Sequence, residues 1–164
     1  MHLYETHIPV ADTNAAQKFY TEIVGLPFAY RDPTRDIVFL WAGAKKKAMI
    51  GLWGPDTAYG KLDGASPKHH LAFAVPLHEL FAAITNLNEK GVEVLGFGGE
   101  KTDEPTVIDW MPSAQIYFRD PDGHVLEFIS ILPESPNPKF NGRYSEWKKR
   151  TSQHGTDWSR RHFS

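Results

Sequence analysis

Apolar residues recur along this chain with two periods, and the two periods alternate in the same order twice. Runs that alternate residue by residue, as strands do, occur in THIPV, LPFAY, IVFLWAG and AMIGLW, and again in HHLAFAV, VEVLGF, AQIYF and HVLEFIS. After the first run of each set comes a helical stripe. One carries Phe19, Tyr20, Ile23 and Val24, opens at Asp12 or Thr13 and closes at Gly25; the other carries Leu77, Leu80, Phe81, Ile84 and Leu87 and closes at Gly91. Each half therefore reads β-α-β-β-β, which predicts an α+β fold of two βαβββ modules, about 3–53 and 68–132. The Gly-, Pro- and Asp-rich stretch 54–67 predicts a connecting loop, and Lys45 to Lys47 an exposed hairpin turn.

The pattern stops at Pro133. Residues 133–164 have no strand period, place Trp147 and Trp158 among polar residues, and read as a basic, partly ordered C-terminal extension. Charge sharpens that division. Residues 1–132 hold 11 Lys/Arg against 17 Asp/Glu, a net of -6, whereas 133–164 hold 7 against 3, a net of +4. The whole chain, at -2, predicts neither a nucleic-acid partner nor a membrane one. A sequence without cysteine excludes disulfides, zinc-thiolate sites and thiol nucleophiles, and suits a reducing compartment. With no signal-like opening and no run of about 20 apolar residues, the expected location is the cytoplasm.

Candidate chemistry comes from one carboxylate and two histidines. In DPDGHVLEF a tight turn leads into a strand where Leu126 and Phe128 form one face and Glu127 lies on the other, among Val125 and Ile129. A charge among such neighbours needs a cation or an Arg as partner. In THIPV, Ile8 and Val10 form the core face and His7 lies opposite with Glu5 and Pro9; in KHHLAFAV, Leu71, Phe73 and Val75 form the core face and His70 lies opposite. Two imidazoles and a carboxylate match a facial site for Fe(II), Mn(II), Ni(II) or Zn(II) with open positions for substrate. The competing reading is two hydrogen-bonded histidines and a Glu paired with an Arg such as Arg119. His69 is expected near a strand edge, and His2, His78, His124, His154 and His162 at ordinary polar positions.

His7 opening one βαβββ unit, His70 in H-x-A-F opening another, and D-P-D-G-x-x-x-E ending at Glu127 together resemble the vicinal oxygen chelate superfamily, over roughly residues 3–132. That superfamily includes glyoxalase I, bleomycin-resistance proteins, extradiol dioxygenases and fosfomycin-resistance thiol transferases. The resemblance implies modules curled into an open cup of mixed sheet with helices outside, one divalent metal on its floor held by His7, His70 and Glu127, and a homodimer. It also implies a small-molecule substrate whose adjacent oxygens chelate the metal. Tyr117, ten residues before Glu127, matches a tyrosine shared by the transferases and the dioxygenases. A fourth ligand, a carboxylate in glyoxalase I, has no counterpart in AMIGLW. Ile108, Asp109 and Trp110 stand where dioxygenases carry an acid-base histidine, and Val107, Met111, Gln115 and Pro136 where fosfomycin enzymes bind phosphonate. Usual glyoxalase I and fosfomycin activities are thereby disfavoured. Trp53, Trp110, Met111 and Gln115 are the candidate pocket residues beside catalytic Tyr117. The alternative is a metal-free binding protein that sequesters a flat hydrophobic ligand.

Overall fold

The computed structural model describes residues 2–60, 68–137 and 139–160, the last without side chains from 153 onward. The expected loop segment 61–67, the side chain of Trp158, and those of His154 and His162 lie outside the described residues. Two compact units emerge. One takes the chain through His70 together with Arg119–Val125; the other takes Leu71–Phe118 and the chain from Leu126 onward.

In the first unit, β1 (Glu5–Pro9) leads to α1 (Thr13–Phe19), which widens into a π-helical turn (Tyr20–Val24) before β2 (Phe28–Arg31), β3 (Ile37–Trp41) and β4 (Met49–Trp53). Asp12 caps α1, accepting from Asn14 N at 2.7 Å and Ala15 N at 3.2 Å, a contribution of about 1 kcal/mol. Gly25, at φ 86°, ends the helical stretch in a conformation costly for any side chain. The sheet order is β1-β4-β3-β2, with β1 parallel to β4 and the other pairs antiparallel. Ile8, Val38, Leu40, Ile50 and Leu52 are all buried, on one face, and α1 packs on β3 and β4. Ala42 N donates to Ala48 O across the Lys45–Lys47 turn, as expected.

The turn Arg119–Val125 is anchored in this unit. Tyr20, fully buried, donates to Asp120 Oδ2 at 2.9 Å, and Ala11 N donates to Asp122 Oδ1 at 2.8 Å. Burial and the Asp120 carboxylate push the Tyr20 phenol far above its ordinary range, so it stays a donor.

The second unit contains α2 (Leu77–Glu89), β6 (Thr106–Ile108), β9 (Asn141–Arg143) and α3 (Tyr144–Arg160), with most of β5 (His70–Ala74), β7 (Ser113–Arg119) and β8 (Val125–Ile131). Its sheet order is β5-β8-β7-β6-β9. The first four strands repeat the order β1-β4-β3-β2, so the duplicated pattern is a duplicated topology, and the two open sheets with three helices make the fold α+β.

Three local expectations change. VEVLGF forms no strand; only Leu95 bridges to Lys101 and Tyr117, because Gly96, Gly98 and Gly99 favour a turn. Its place in the sheet is taken by β6, a three-residue strand too short to show a period. Phe81 is 38% exposed rather than core, with its ring 5.1 Å from Tyr144. The tail adds β9, which pairs antiparallel with β6, and α3. Phe140 and Trp147 are buried, Trp147 Nε1 donates to Asp109 Oδ1 at 3.3 Å, and Arg143 bonds Asp103 and Glu104. The aromatic residues of a polar segment are its anchors, a pairing that periodicity does not reveal.

Candidate functional site

Cross-strand pairing in the first unit lines up His7, Gly51, Phe39 and Tyr30 on the face opposite α1. Gly51 has no side chain, and the rings close over it. A Cβ there would stand 2.7 Å from His7 Cδ2, 2.8 Å from Trp53 Nε1 and 3.2 Å from Phe39 Cε1. The His7 ring lies 4.8 Å from Trp53 and 5.2 Å from Tyr59. Its Nε2–H donates to Glu5 Oε1 at 2.7 Å, on the same face, as parity predicted. Trp53 is buried and its Nε1 has no hydrogen-bond partner among the described residues.

In the second unit Ser113, Gln115 and Tyr117 share one face of β7, opposite buried Ala114, Ile116 and Phe118. Glu127 is buried on β8, opposite the core pair Leu126 and Phe128, and accepts from the Tyr117 hydroxyl at 3.2 Å. Burial, then the Glu127 charge, raises the Tyr117 phenol well above its ordinary value; near neutrality it is a donor. Gln115 is fully buried with both amide atoms unpartnered among the described residues, and Ser113 Oγ is in the same condition. Such groups each carry a desolvation cost of about 1–3 kcal/mol until a partner arrives. Trp110 and Met111 sit on the turn before β7, exposed to 61% and 39%. Arg119 donates to Gly123 O at 3.4 Å.

Backbone hydrogen bonds align the two halves residue by residue. Met49 N donates to Tyr4 O and Val10 N to Trp53 O; correspondingly, Val125 N donates to His69 O and Val75 N to Ile129 O. By this register Glu127 corresponds to Gly51, and His70 corresponds to Glu5. His7 corresponds to Ala72. Sequence reasoning matched His7 to His70 by residue type and passed over Glu5, two positions earlier on the same face. The signal available was the distance to the helix cap, which only a known register makes readable.

One more histidine takes an unexpected role, and His69 precedes the edge strand β5, near a strand edge as expected. His124 is 1% exposed: its Nε2–H donates to Pro9 O at 2.8 Å and its Nδ1 accepts from His69 N at 3.1 Å. It is a structural staple between the DPDGH turn and β1 rather than an ordinary polar position. His69 lies against it, ring centroids 5.2 Å apart, and burial, followed by the neighbouring His124 ring, lowers its pKa.

Imidazole and carboxylate donors with no thiolate in the chain suit Fe(II), Mn(II), Ni(II) or Zn(II). His70 alternates with Ala72 and Ala74 against the more buried Leu71 and Phe73, so it keeps the predicted face. Among the described residues, no three His, Cys, Asp or Glu side chains of one chain are gathered as a metal-holding group.

Residues 2–128 match the family model of the Glyoxalase/Bleomycin resistance protein/Dioxygenase superfamily. An integron cassette protein from the mobile metagenome of Halifax Harbour sewage outfall is 29% identical, with a TM-score of 0.65 over 79% of this chain and 98% of that one. Lactoylglutathione lyase from Agrobacterium tumefaciens is 23% identical, TM-score 0.59, over 79% and 92%. The antibiotic-binding protein TnmS3 from Streptomyces sp. CB03234 is 23% identical, TM-score 0.57, over 80% and 97%. No curated protein matches the sequence. Among the described residues no helix is long and apolar enough to cross a membrane.

Proposed function

Because the chain belongs to the Glyoxalase/Bleomycin resistance protein/Dioxygenase superfamily, we propose that it is a metal-dependent enzyme acting on a small organic molecule with two adjacent oxygen atoms. The reading is carried by the buried Glu127 carboxylate with the Tyr117 hydroxyl on it, on the face of the sheet away from the core. His70 and Glu127 would hold a divalent ion together with a β1 donor, His7 or its hydrogen-bond partner Glu5. When bound, the ion would supply Lewis-acid stabilisation of an enolate or oxyanion.

The chain's own residues do the rest. The Tyr117 phenol holds its proton and can pass its hydrogen bond from Glu127 to a substrate oxygen as charge develops there. Gln115 offers a buried donor and acceptor from the same face of β7. The site is read as shared between two copies in a homodimer working in the cytoplasm, which is consistent with no single chain gathering three such donors among the described residues.

A second reading, a metal-free binder of a flat hydrophobic ligand, is favoured by the ring cluster of His7, Phe39, Trp53 and Tyr59. Elemental analysis after reconstitution separates the two. One ion per site is expected in the wild type, with affinity reduced about a hundredfold or more in Glu127→Gln. No bound ion in the wild type selects the binder.

A further inference from the structure

The turn that replaces the expected VEVLGF strand presents an exposed aromatic ring to the candidate site. Leu95 is pinned to Tyr117 by two backbone bonds, Leu95 N to Tyr117 O at 2.7 Å and Tyr117 N to Leu95 O at 2.9 Å. The chain then reverses: Gly96 N donates to Glu100 O at 2.8 Å, and Gly99 N, with φ +83°, donates to Gly96 O at 3.0 Å. A Cβ on Gly96 or Gly98 would first meet the Glu100 carboxylate, at 2.1 Å or 2.6 Å, which is the movable end of an exposed side chain, so the turn takes its shape from these backbone bonds. At its tip Phe97 is 60% exposed, with its ring 6.4 Å from that of Tyr117, edge to face.

The turn offers its one large apolar side chain to solvent, and a ligand that covered the ring would remove that apolar surface from water. The covering group must also lie beside the Tyr117 phenol, the donor already aimed at Glu127. We propose that Phe97 determines specificity at this site by packing against the planar, conjugated part of a ligand whose oxygen takes the Tyr117 hydrogen bond. The proposal rests on reading Tyr117 and Glu127 as the site, and it narrows the substrate class to conjugated or aromatic molecules. Pinning through Leu95 sets the height of the ring above Tyr117, so selection is by ligand shape rather than by charge.

The test titrates 4-nitrocatechol, a planar ring with two adjacent oxygens, and acetohydroxamate, which has the paired oxygens without the ring. Both go into metal-reconstituted wild type, Phe97→Ala and Phe97→Leu, with metal content measured alongside. Phe97→Ala is expected to bind 4-nitrocatechol about tenfold more weakly, with Phe97→Leu between, because most of one ring's burial is lost. Acetohydroxamate affinity and metal content should not change. Equal 4-nitrocatechol affinity in all three proteins, or an equal loss for both probes, overturns the proposal and leaves the metal reading standing. Metal uptake with neither probe bound overturns it as well. If the wild type takes up no metal, the metal reading fails alone, and the same 4-nitrocatechol titration on metal-free protein decides Phe97: a tenfold loss in Phe97→Ala supports it, and no loss or no binding overturns it.

Discussion

The two sheets share a strand order but not a surface. On β4 the place corresponding to Glu127 is Gly51, roofed by His7, Phe39 and Trp53; on β8 it is a buried carboxylate bonded to a phenol. Duplication preserved the part of the sequence that builds the sheet, the alternating core residues, and left the opposite face free to diverge. One face became aromatic, with an indole nitrogen unpartnered among the described residues; the other gathered Ser113, Gln115, Tyr117 and Glu127. A carboxylate could not stand at Gly51 without displacing three rings, so the asymmetry is locked by packing.

The sharpest way to break this comparison is at Glu5 and His70, which the backbone register makes equivalent. Glu5→Ala and His70→Ala are each expected to weaken metal affinity about a hundredfold, whereas His7→Ala, which removes a partner that orients Glu5, should cost about tenfold. Isothermal titration with the reconstituting metal reads all three. A larger loss for His7→Ala than for Glu5→Ala would make His7 the ligand and Glu5 its support.

A smaller effect is expected from filling the gap in the aromatic face. Gly51→Ala forces His7, Trp53 and Phe39 apart and should lower stability by about 2 kcal/mol, seen as a reduced Tm with a shifted tryptophan emission. An unchanged Tm would mean that the rings move freely, and the locked asymmetry would be wrong.

The smallest effect belongs to the polar face. Tyr117→Phe removes one donor and keeps the ring, so fold and metal content should hold while turnover falls about tenfold or more, starting from the net worth of one hydrogen bond. Unchanged turnover assigns Tyr117 to packing; a lost metal shows instead that its hydroxyl supports Glu127.

The amino-acid sequence by itself determined the βαβββ duplication, the helix ends at Gly25 and Gly91, the core faces, and the side of each strand on which His7, His70, Tyr117 and Glu127 lie. These follow from alternation and capping, which act over a few residues and leave a periodic trace. Only the tertiary structure decided the register between β1 and β4 and between β5 and β8, and with it the equivalence of Glu5 with His70. Pairing joins residues more than 40 positions apart, and nothing local encodes the offset. The same reason hid the burial of His124, the docking of Trp147 through a three-residue strand, and the Phe97 turn: each depends on a distant partner, Pro9, Asp109 and Tyr117 respectively, whose approach is set by packing rather than by neighbouring sequence.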